Sequence, residues 1–471
     1  MDLKDKKVVV VGLARTGVAV AKFLKNQGAH VTVTDVQAED VLHHYVNELK
    51  GLGIKVELGG HVAATFASAD LVVVSPGVPH NIAMLEAARE KGVPVVGEIE
   101  LAGRFIKEPI LAVTGTNGKT TTTTLLGEML KRSGFKVYVG GNIGTPLIEY
   151  AASDMTADAV VAEISSFQLD TIDKFRPHVG VLLNITEDHL DRYANFKEYI
   201  LSKGRLFENQ TTADVAVLNA KDVATKSMAE DIKGRKLFFN LQDSTASGSV
   251  VRDTKMICSL PHKEPVLFDL SGFRLKGRHN LENASAAALA ALAAGGTCEG
   301  IQDALNRFKG LPHRLTYVRT VDGVDYYDDS KGTNVDSVVR SLESFDGPIF
   351  LIIGGRDKGG SYSKLEPLVK TRVKTILAIG EAQKKIIAAL GASADIIPVN
   401  SMEEAVKIAH REAISGDVVL LSPACSSFDM FRDYAERGEV FCRAVGELEE
   451  RTEDREQRTE DREQMAEIRN Q

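Results

Sequence analysis

The chain has 471 residues, of which 44% are hydrophobic and 26% charged, the composition of a globular protein with room for about three domains that each bury a core. Lys and Arg total 57 against 65 Asp and Glu, and the net charge of −8 argues against nucleic acid as a main partner. No run approaches the ~20 apolar residues of a membrane span, and Cys258, Cys298, Cys425 and Cys442 lack zinc-ligand spacing.

The opening MDLKDKKVVVVGLA carries charge directly into a strand, without the apolar stretch of a signal peptide. Free thiols and a cytoplasmic location are therefore expected. Lys7 to Val11 is an apolar strand, followed by Gly12-Leu-Ala-Arg-Thr-Gly17, a helix through Leu24, and a strand from Val31 ending at Asp35. Asp35 falls 18 positions after Gly17, the layout of a dinucleotide fingerprint. Ala14 replaces the middle glycine, however, so NAD or FAD is disfavoured while another nucleotide pose stays open. Leu71 to Val74 is a further strand, ending in Ser75-Pro76-Gly77, and Pro94 to Val96 is another. The first domain spans 1–97.

The second domain, 98–310, holds the stretch AVTGTNGKTTTTT from Ala112 to Thr124. It follows the apolar run Ile110 to Val113 and leads into Leu125 to Leu130, a strand, glycine-rich turn and helix in the order of a phosphate loop. Backbone N–H groups of Gly115, Thr116, Asn117, Gly118 and Lys119 suit an anionic phosphate, the Lys119 amine adds charge, and Thr120 offers a hydroxyl to Mg²⁺. Val113 stands where a standard loop has its first glycine, so the loop is shortened. Two later apolar runs, Ala159 to Ile164 and Val179 to Ile185, suit parallel strands covered on both faces. Their C-terminal ends deliver Glu163, Ser165 and Gln168, and then Asn184 to His189, where ligands sit in open α/β sheets.

Asn195 to Asn209 has the pattern of a helix with Phe196, Ile200 and Phe207 on its apolar face. Lys203 lies three after Ile200 and four before Phe207, on that same face. A lysine there either snorkels to solvent or is desolvated, with a lowered pKa and a reactive neutral amine. Val215 to Phe273 has the pattern of a β-rich excursion. An alanine-rich helix through Ala294 follows, with Asn280 and Asn283 on one face at its start; capping explains one of them but not both.

The third domain, 311–450, again alternates strands and helices. Strand ends at Asp328, Ile353 and Leu421 lead into the polar turns Asp329 to Asn334, Gly354 to Gly360 and Ser422 to Asp429, three turns at one ligand-binding edge. The tail 451–471 repeats RTEDREQ without apolar a and d positions, so a solvated helix or a disordered end is expected, with no chemistry.

With TGTNGKTT (114–121), GGNIG (140–144), EISSFQLD (163–170), NITEDHLDRY (184–193), GRHNLENA (277–284), LPHR (311–314), DDSKGTN (328–334) and SPACSSFDMF (422–431), the chain resembles the Mur ligases. These are ATP-dependent amide-forming enzymes of peptidoglycan synthesis. The resemblance covers roughly residues 7 to 446, and SSFQLD, TEDHLDRY and SPACSSFD are similar to the D-glutamate-adding branch. It implies an α/β protein of three domains: a Rossmann-like N-terminal domain, a central P-loop-type ATP-binding domain with a mostly parallel sheet, and a Rossmann-like C-terminal domain. It also implies a monomer that joins D-glutamate to UDP-N-acetylmuramoyl-L-alanine through an acyl phosphate and a tetrahedral intermediate.

Residue by residue, the resemblance places Gly115, Thr116, Asn117, Gly118, Lys119, Thr120 and Thr121, with Asn283, Arg314 and Asp329, at ATP. Two Mg²⁺ ions would be held by Thr120, Glu163, His189 and Lys203, the last as a CO₂-derived carbamate. Lys119, Glu163, His189 and Lys203 would thus be the catalytic set. Arg15, Thr16, Asp35, Gly77, Asn142, Ser165 and Gln168 would face the UDP-sugar. Lys331, Thr333, Lys358, Ser427 and Phe428 would face D-glutamate.

Three alternatives make different predictions. A folylpolyglutamate-type ligase lacks a UDP-binding first domain, which the Gly12 to Asp35 unit disfavours. A nucleotide-sensing protein would keep its function without Lys203. A dehydrogenase would bind NAD, which Ala14 disfavours.

Overall fold

The computed structural model describes residues 1–188, 192–243 and 247–449. His189 and the tail 451–471 lie outside the described residues. Two compact units are present: Met1–Arg274 with His279–Phe308, and Leu275–Arg278 with the chain from Lys309 onward.

The first unit contains two sheets. One has five parallel strands in the order Lys55–Glu57, His30–Thr34, Lys7–Val11, Leu71–Val74, Val95–Gly97. Its unbroken valine runs exist because both faces are covered. Val8, Val10, Val31, Val33 and Val73 pack with Val18, Phe23, Leu24 and Val46 of the helices Arg15–Asn26 and Glu39–Gly51. Val9, Val11, Val72 and Val74 pack on the other side with Phe66, Leu85 and Ala88. Each such side chain contributes about 1.5–3 kcal/mol on burial, so the central strands Lys7–Val11 and Leu71–Val74 are continuous apolar runs, whereas His30–Thr34 next to them alternates.

The other sheet has nine strands, in the order Val266–Asp269, Lys255–Ser259, Gly248–Arg252, Arg235–Phe239, Val215–Asn219, Val179–Leu182, Ile110–Thr114, Ala159–Glu163, Val137–Gly141. Only the first three pair antiparallel. The stretch expected to be an excursion is thus largely an extension of the central sheet. Val215–Asn219 and Arg235–Phe239 run parallel to the core strands, with all five residues of Val215–Asn219 buried. The helix bearing Lys203 is shorter than its apolar pattern, Phe196–Gly204 capped by Asn195, and tightens into a 3₁₀ turn at Arg205–Phe207.

The second unit holds a sheet of six strands in the order Thr316–Val321, Val324–Asp328, Val418–Leu421, Ile349–Gly354, Val373–Ile379, Asp395–Val399. All neighbours are parallel except the first pair. Leu351 and Ile353 face Val338, Leu342 and Val369. Phe350 and Ile352 face Val406, Ala409 and Phe441. Among the described residues no helix is long and apolar enough to cross a membrane, and all four cysteines are free.

Candidate active site

The phosphate loop joins the strand Ile110–Thr114 to the helix Lys119–Arg132. It is stapled to the turn after Val179–Leu182. Thr116 N–H donates to Asn184 O at 2.8 Å, Asn117 N–H donates to Asn184 Oδ1 at 2.9 Å, and the Thr116 hydroxyl donates to Thr186 O at 3.1 Å. Gly118 sits in the left-handed region at φ 86°, and a Cβ there would lie 2.2 Å from Asn283 Oδ1. Only glycine fits. Asn280 and Asn283 both lie inside the helix Arg278–Ala293 and both are buried, linked by a hydrogen bond of 3.3 Å. Asn283 therefore covers the loop, while the Asn280 side chain holds it there. Thr120 and Thr121 are the second and third residues of the helix Lys119–Arg132.

Two lysines converge on one carbonyl. Lys119 Nζ donates to Gly115 O at 2.9 Å and to Thr116 O at 2.8 Å, and Lys203 Nζ donates to the same Gly115 O at 3.0 Å. Lys203 is only 1% exposed, so it does not snorkel. Its amine lies 4.6 Å from the centre of the Tyr199 ring, and the Tyr199 hydroxyl is 3.2 Å from that of Thr116. Burial first, and the Lys119 charge second, hold the Lys203 amine well below the usual lysine range. The shift favours the neutral, nucleophilic form of the amine at the phosphate loop.

Glu163 ends the strand Ala159–Glu163 and is 3% exposed. Its Oε1 accepts from Asn142 Nδ2 at 2.9 Å, whereas Oε2 is buried with no hydrogen-bond partner. A buried carboxylate oxygen left unpaired costs about 1–3 kcal/mol or more. An oxygen left in this way has room to take a cation. Thr120, in the first turn of the neighbouring helix, carries a hydroxyl of the type such a cation takes.

A cavity of about 510 Å³ opens at the C-terminal edge of the first sheet. Arg15, Thr16, Asp35, Gly77, Asn142 and Gln168 all line it. Asp35 is not simply presented to a ligand. Its Oδ2 accepts from Leu13 N–H at 2.7 Å and its Oδ1 from Gln37 N–H at 2.9 Å, so the carboxylate also shapes the turn. Ser165 caps a short helix: Gln168 N–H donates to its Oγ at 3.3 Å, and Ser165 N–H donates to Gln168 Oε1 at 2.9 Å. Spacing alone did not reveal Glu98, which is buried and lines the cavity; a buried polar residue just after a strand end was the available signal.

In the second unit the three polar turns meet. Lys358 Nζ lies 3.5 Å from Thr333 Oγ1, and Lys331 Nζ lies 3.6 Å from the centre of the Tyr434 ring. Ser427 is buried, and Phe428 is 63% exposed. Asp329 is buried and committed internally, its Oδ2 accepting from Ser341 and Ser422 hydroxyls, each at 2.7 Å. Burial pushes its carboxyl up to about 6, opposed by those hydrogen bonds and by the Arg314 charge. Tyr434, outside every motif singled out in the sequence, belongs to this cluster.

Comparison with known proteins agrees with this layout. Residues 6–97 match the family described as Mur ligase MurD-like, N-terminal domain; residues 113–291 match the Mur ligase middle domain; residues 313–425 match the Mur ligase glutamate ligase domain. A UDP-N-acetylmuramoylalanine--D-glutamate ligase of Desulfosudis oleivorans is 51% identical over 450 residues, 96% of this chain and 98% of the relative. A protein of the same name from Geobacter sp. (strain M21) is 54% identical over 448 residues, 94% of this chain and 98% of the relative. Among solved structures, a pseudomurein peptide ligase type C from Methanothermus fervidus superposes with a TM-score of 0.60 at 22% identity, covering 94% of this chain and all of that one.

Proposed function

The chain belongs to the Mur ligase family, and from that premise we propose that it joins D-glutamate to UDP-N-acetylmuramoyl-L-alanine, with cleavage of ATP, in peptidoglycan precursor synthesis. The observation that carries the chemistry is the convergence of Lys119 and Lys203 on Gly115 O, with the phosphate loop strand flanked by the strand that ends in Glu163. A work site in the cytoplasm and a monomeric state complete the proposal.

The loop amides and Lys119 take the ATP phosphates. Arg15, Thr16, Asp35, Gly77, Asn142, Ser165 and Gln168 hold the UDP-sugar, and Asn283, Arg314 and Asp329 the nucleotide. Lys331 and Lys358 offer cations to the two carboxylates of D-glutamate, with Thr333, Ser427 and Phe428 shaping the rest of that site. Thr120, Glu163, His189 and Lys203 would hold two Mg²⁺ ions. The unpaired Glu163 Oε2 fits a hard cation, and the buried amine of Lys203, whose pKa burial lowers, fits carbamate formation with CO₂. When bound, the metal offsets phosphate charge.

The alanyl carboxylate attacks the γ-phosphorus, forming a C–O–P bond as the bond to ADP breaks. The D-glutamate amine then attacks the acyl carbon, and inorganic phosphate leaves from the tetrahedral intermediate as the C–N bond is completed. Lys119 stays against the phosphate oxygens throughout, so charge is stabilised where it accumulates.

Phosphate release from ATP, measured with each amino acid in turn, tests the specificity. D-glutamate together with UDP-N-acetylmuramoyl-L-alanine is expected to be required, with L-glutamate or D-alanine about 10²-fold slower or worse. Equal rates with another amino acid would overturn the assignment.

A further inference from the structure

Arg437, on the helix Tyr434–Gly446, is 1% exposed and among the largest fully buried side chains. Its guanidinium bridges two turns. Nε donates to Ser330 Oγ at 3.0 Å, Nη2 donates to Ser330 O at 2.8 Å and to Cys425 O at 3.2 Å, and Nη1 donates to Cys425 O at 3.2 Å. Ser330 Oγ in turn donates to Tyr434 O at 2.7 Å, tying the first turn to the start of the same helix.

The third turn packs against the same group. Gly355 has φ 131°, and a Cβ there would lie 2.3 Å from Ser426 O and 3.2 Å from Arg437 Nη1. Arg356 N–H donates to Ser426 O at 2.9 Å, and Ala424 N–H donates to Gly332 O at 2.8 Å. All hydrogen-bond acceptors of Arg437 are carbonyls and a hydroxyl; none is a carboxylate. Burial lowers the guanidinium's pKa to about 10, and neighbouring acidic groups such as Asp429 oppose that shift, so it stays charged at neutral pH. A buried cation with so little direct compensation is a poor device for stability, and an apolar side chain would fill the volume at lower cost. What a planar fork supplies that an apolar chain does not is a fixed distance between two backbones.

We infer that Arg437 is a positioning residue of the amino-acid site: its fork sets the spacing between the turn carrying Lys331 and Thr333 and the turn carrying Ser427 and Phe428. The inference rests on the assignment of those four residues to D-glutamate.

Steady-state kinetics of R437K, S330A and K331A test it, with KM measured separately for D-glutamate, ATP and the UDP-sugar. R437K is expected to raise the D-glutamate KM about tenfold or more while the other two KM values stay within about twofold. S330A, which keeps the arginine but removes its Nε acceptor, is expected to raise the same KM by about threefold. A merely structural role lowers the amount of folded enzyme, and hence kcat, without moving any KM. If K331A raises the D-glutamate KM while R437K and S330A leave it unchanged, the inference is overturned and the site assignment stands. If K331A also leaves it unchanged, the assignment itself fails and takes the inference with it.

Discussion

Lys203 shows how far side-chain chemistry depends on the few atoms around it. Its place on an apolar helix face was legible from the spacing of Ile200 and Phe207, but whether the amine reached solvent was not. The direction is set by Gly115 O, which comes from a distant part of the chain, and by the Tyr199 ring one turn earlier on the same helix. Replacing Lys203 with Ala is expected to lower turnover by about 10³-fold while ATP binding persists, with partial recovery in formate or acetate. Wild-type turnover in that variant would instead favour a nucleotide-sensing protein. Glu163→Gln removes one charge from a carboxylate whose Oε2 has no protein partner. A drop of about 10²–10³-fold in kcat and a higher Mg²⁺ requirement are expected. An unchanged Mg²⁺ dependence would remove Glu163 from the metal site.

At the scale of elements, the helix Glu98–Gly103 carries two buried carboxylates with opposite behaviour. Burial pushes Glu98 up to about 7, only partly offset by the N–H groups of Ile148 and Leu147. Burial acts the same way on Glu100, but N–H groups of Asp173, Lys174 and Phe175, together with Arg104, outweigh it and hold that carboxyl below its ordinary range. The signs of the two pH dependences therefore differ. Glu98 binds its proton more tightly folded than unfolded, so its contribution is present below about pH 4.5 and is lost as pH rises to about 7, by about 3 kcal/mol at most. Glu100 stabilises above the unfolded pKa and loses that contribution as pH falls. Between pH 5 and pH 8 the wild type should lose more thermal stability than E98Q; parallel losses would contradict the assigned shift. E100A, which leaves three backbone donors without their acceptor and removes the partner of Arg104 Nε while Nη2 keeps Asp173, should cost about 3–5 kcal/mol in urea unfolding at pH 7.

Neither carboxylate was legible in the sequence, where residue 98 marked only a domain boundary. The strands were legible because parallel strands covered on both faces are written as continuous apolar runs. Val215–Asn219 was misplaced for a different reason: its run was visible, but pairing with Val179–Leu182 is a long-range fact that no local pattern carries. The polar turns of the third sheet were legible at their strand ends, whereas Arg437 and Tyr434 lie on a helix whose pattern is that of any amphipathic surface helix.

For the whole molecule, three sheets present strand ends, and the proposal gives each one a substrate class: the UDP-sugar, ATP and the amino acid. The tail 451–471 has no assigned part in this. The family matches end by residue 425 and the relatives align over 448 to 450 residues. Removing 451–471 is expected to leave kcat and the thermal midpoint unchanged, checked by the same phosphate assay and by calorimetry.

The central claim is that ATP activates the alanyl carboxylate itself. It is tested most directly with UDP-N-acetylmuramoyl-L-alanine labelled with ¹⁸O in both carboxylate oxygens, by mass analysis of the phosphate released in the presence of D-glutamate. One labelled oxygen per phosphate is the expected result, because the C–O bond of the acyl phosphate breaks as the tetrahedral intermediate collapses and the bridging oxygen leaves with the phosphate. Phosphate free of label, formed in step with the amide product, would contradict it.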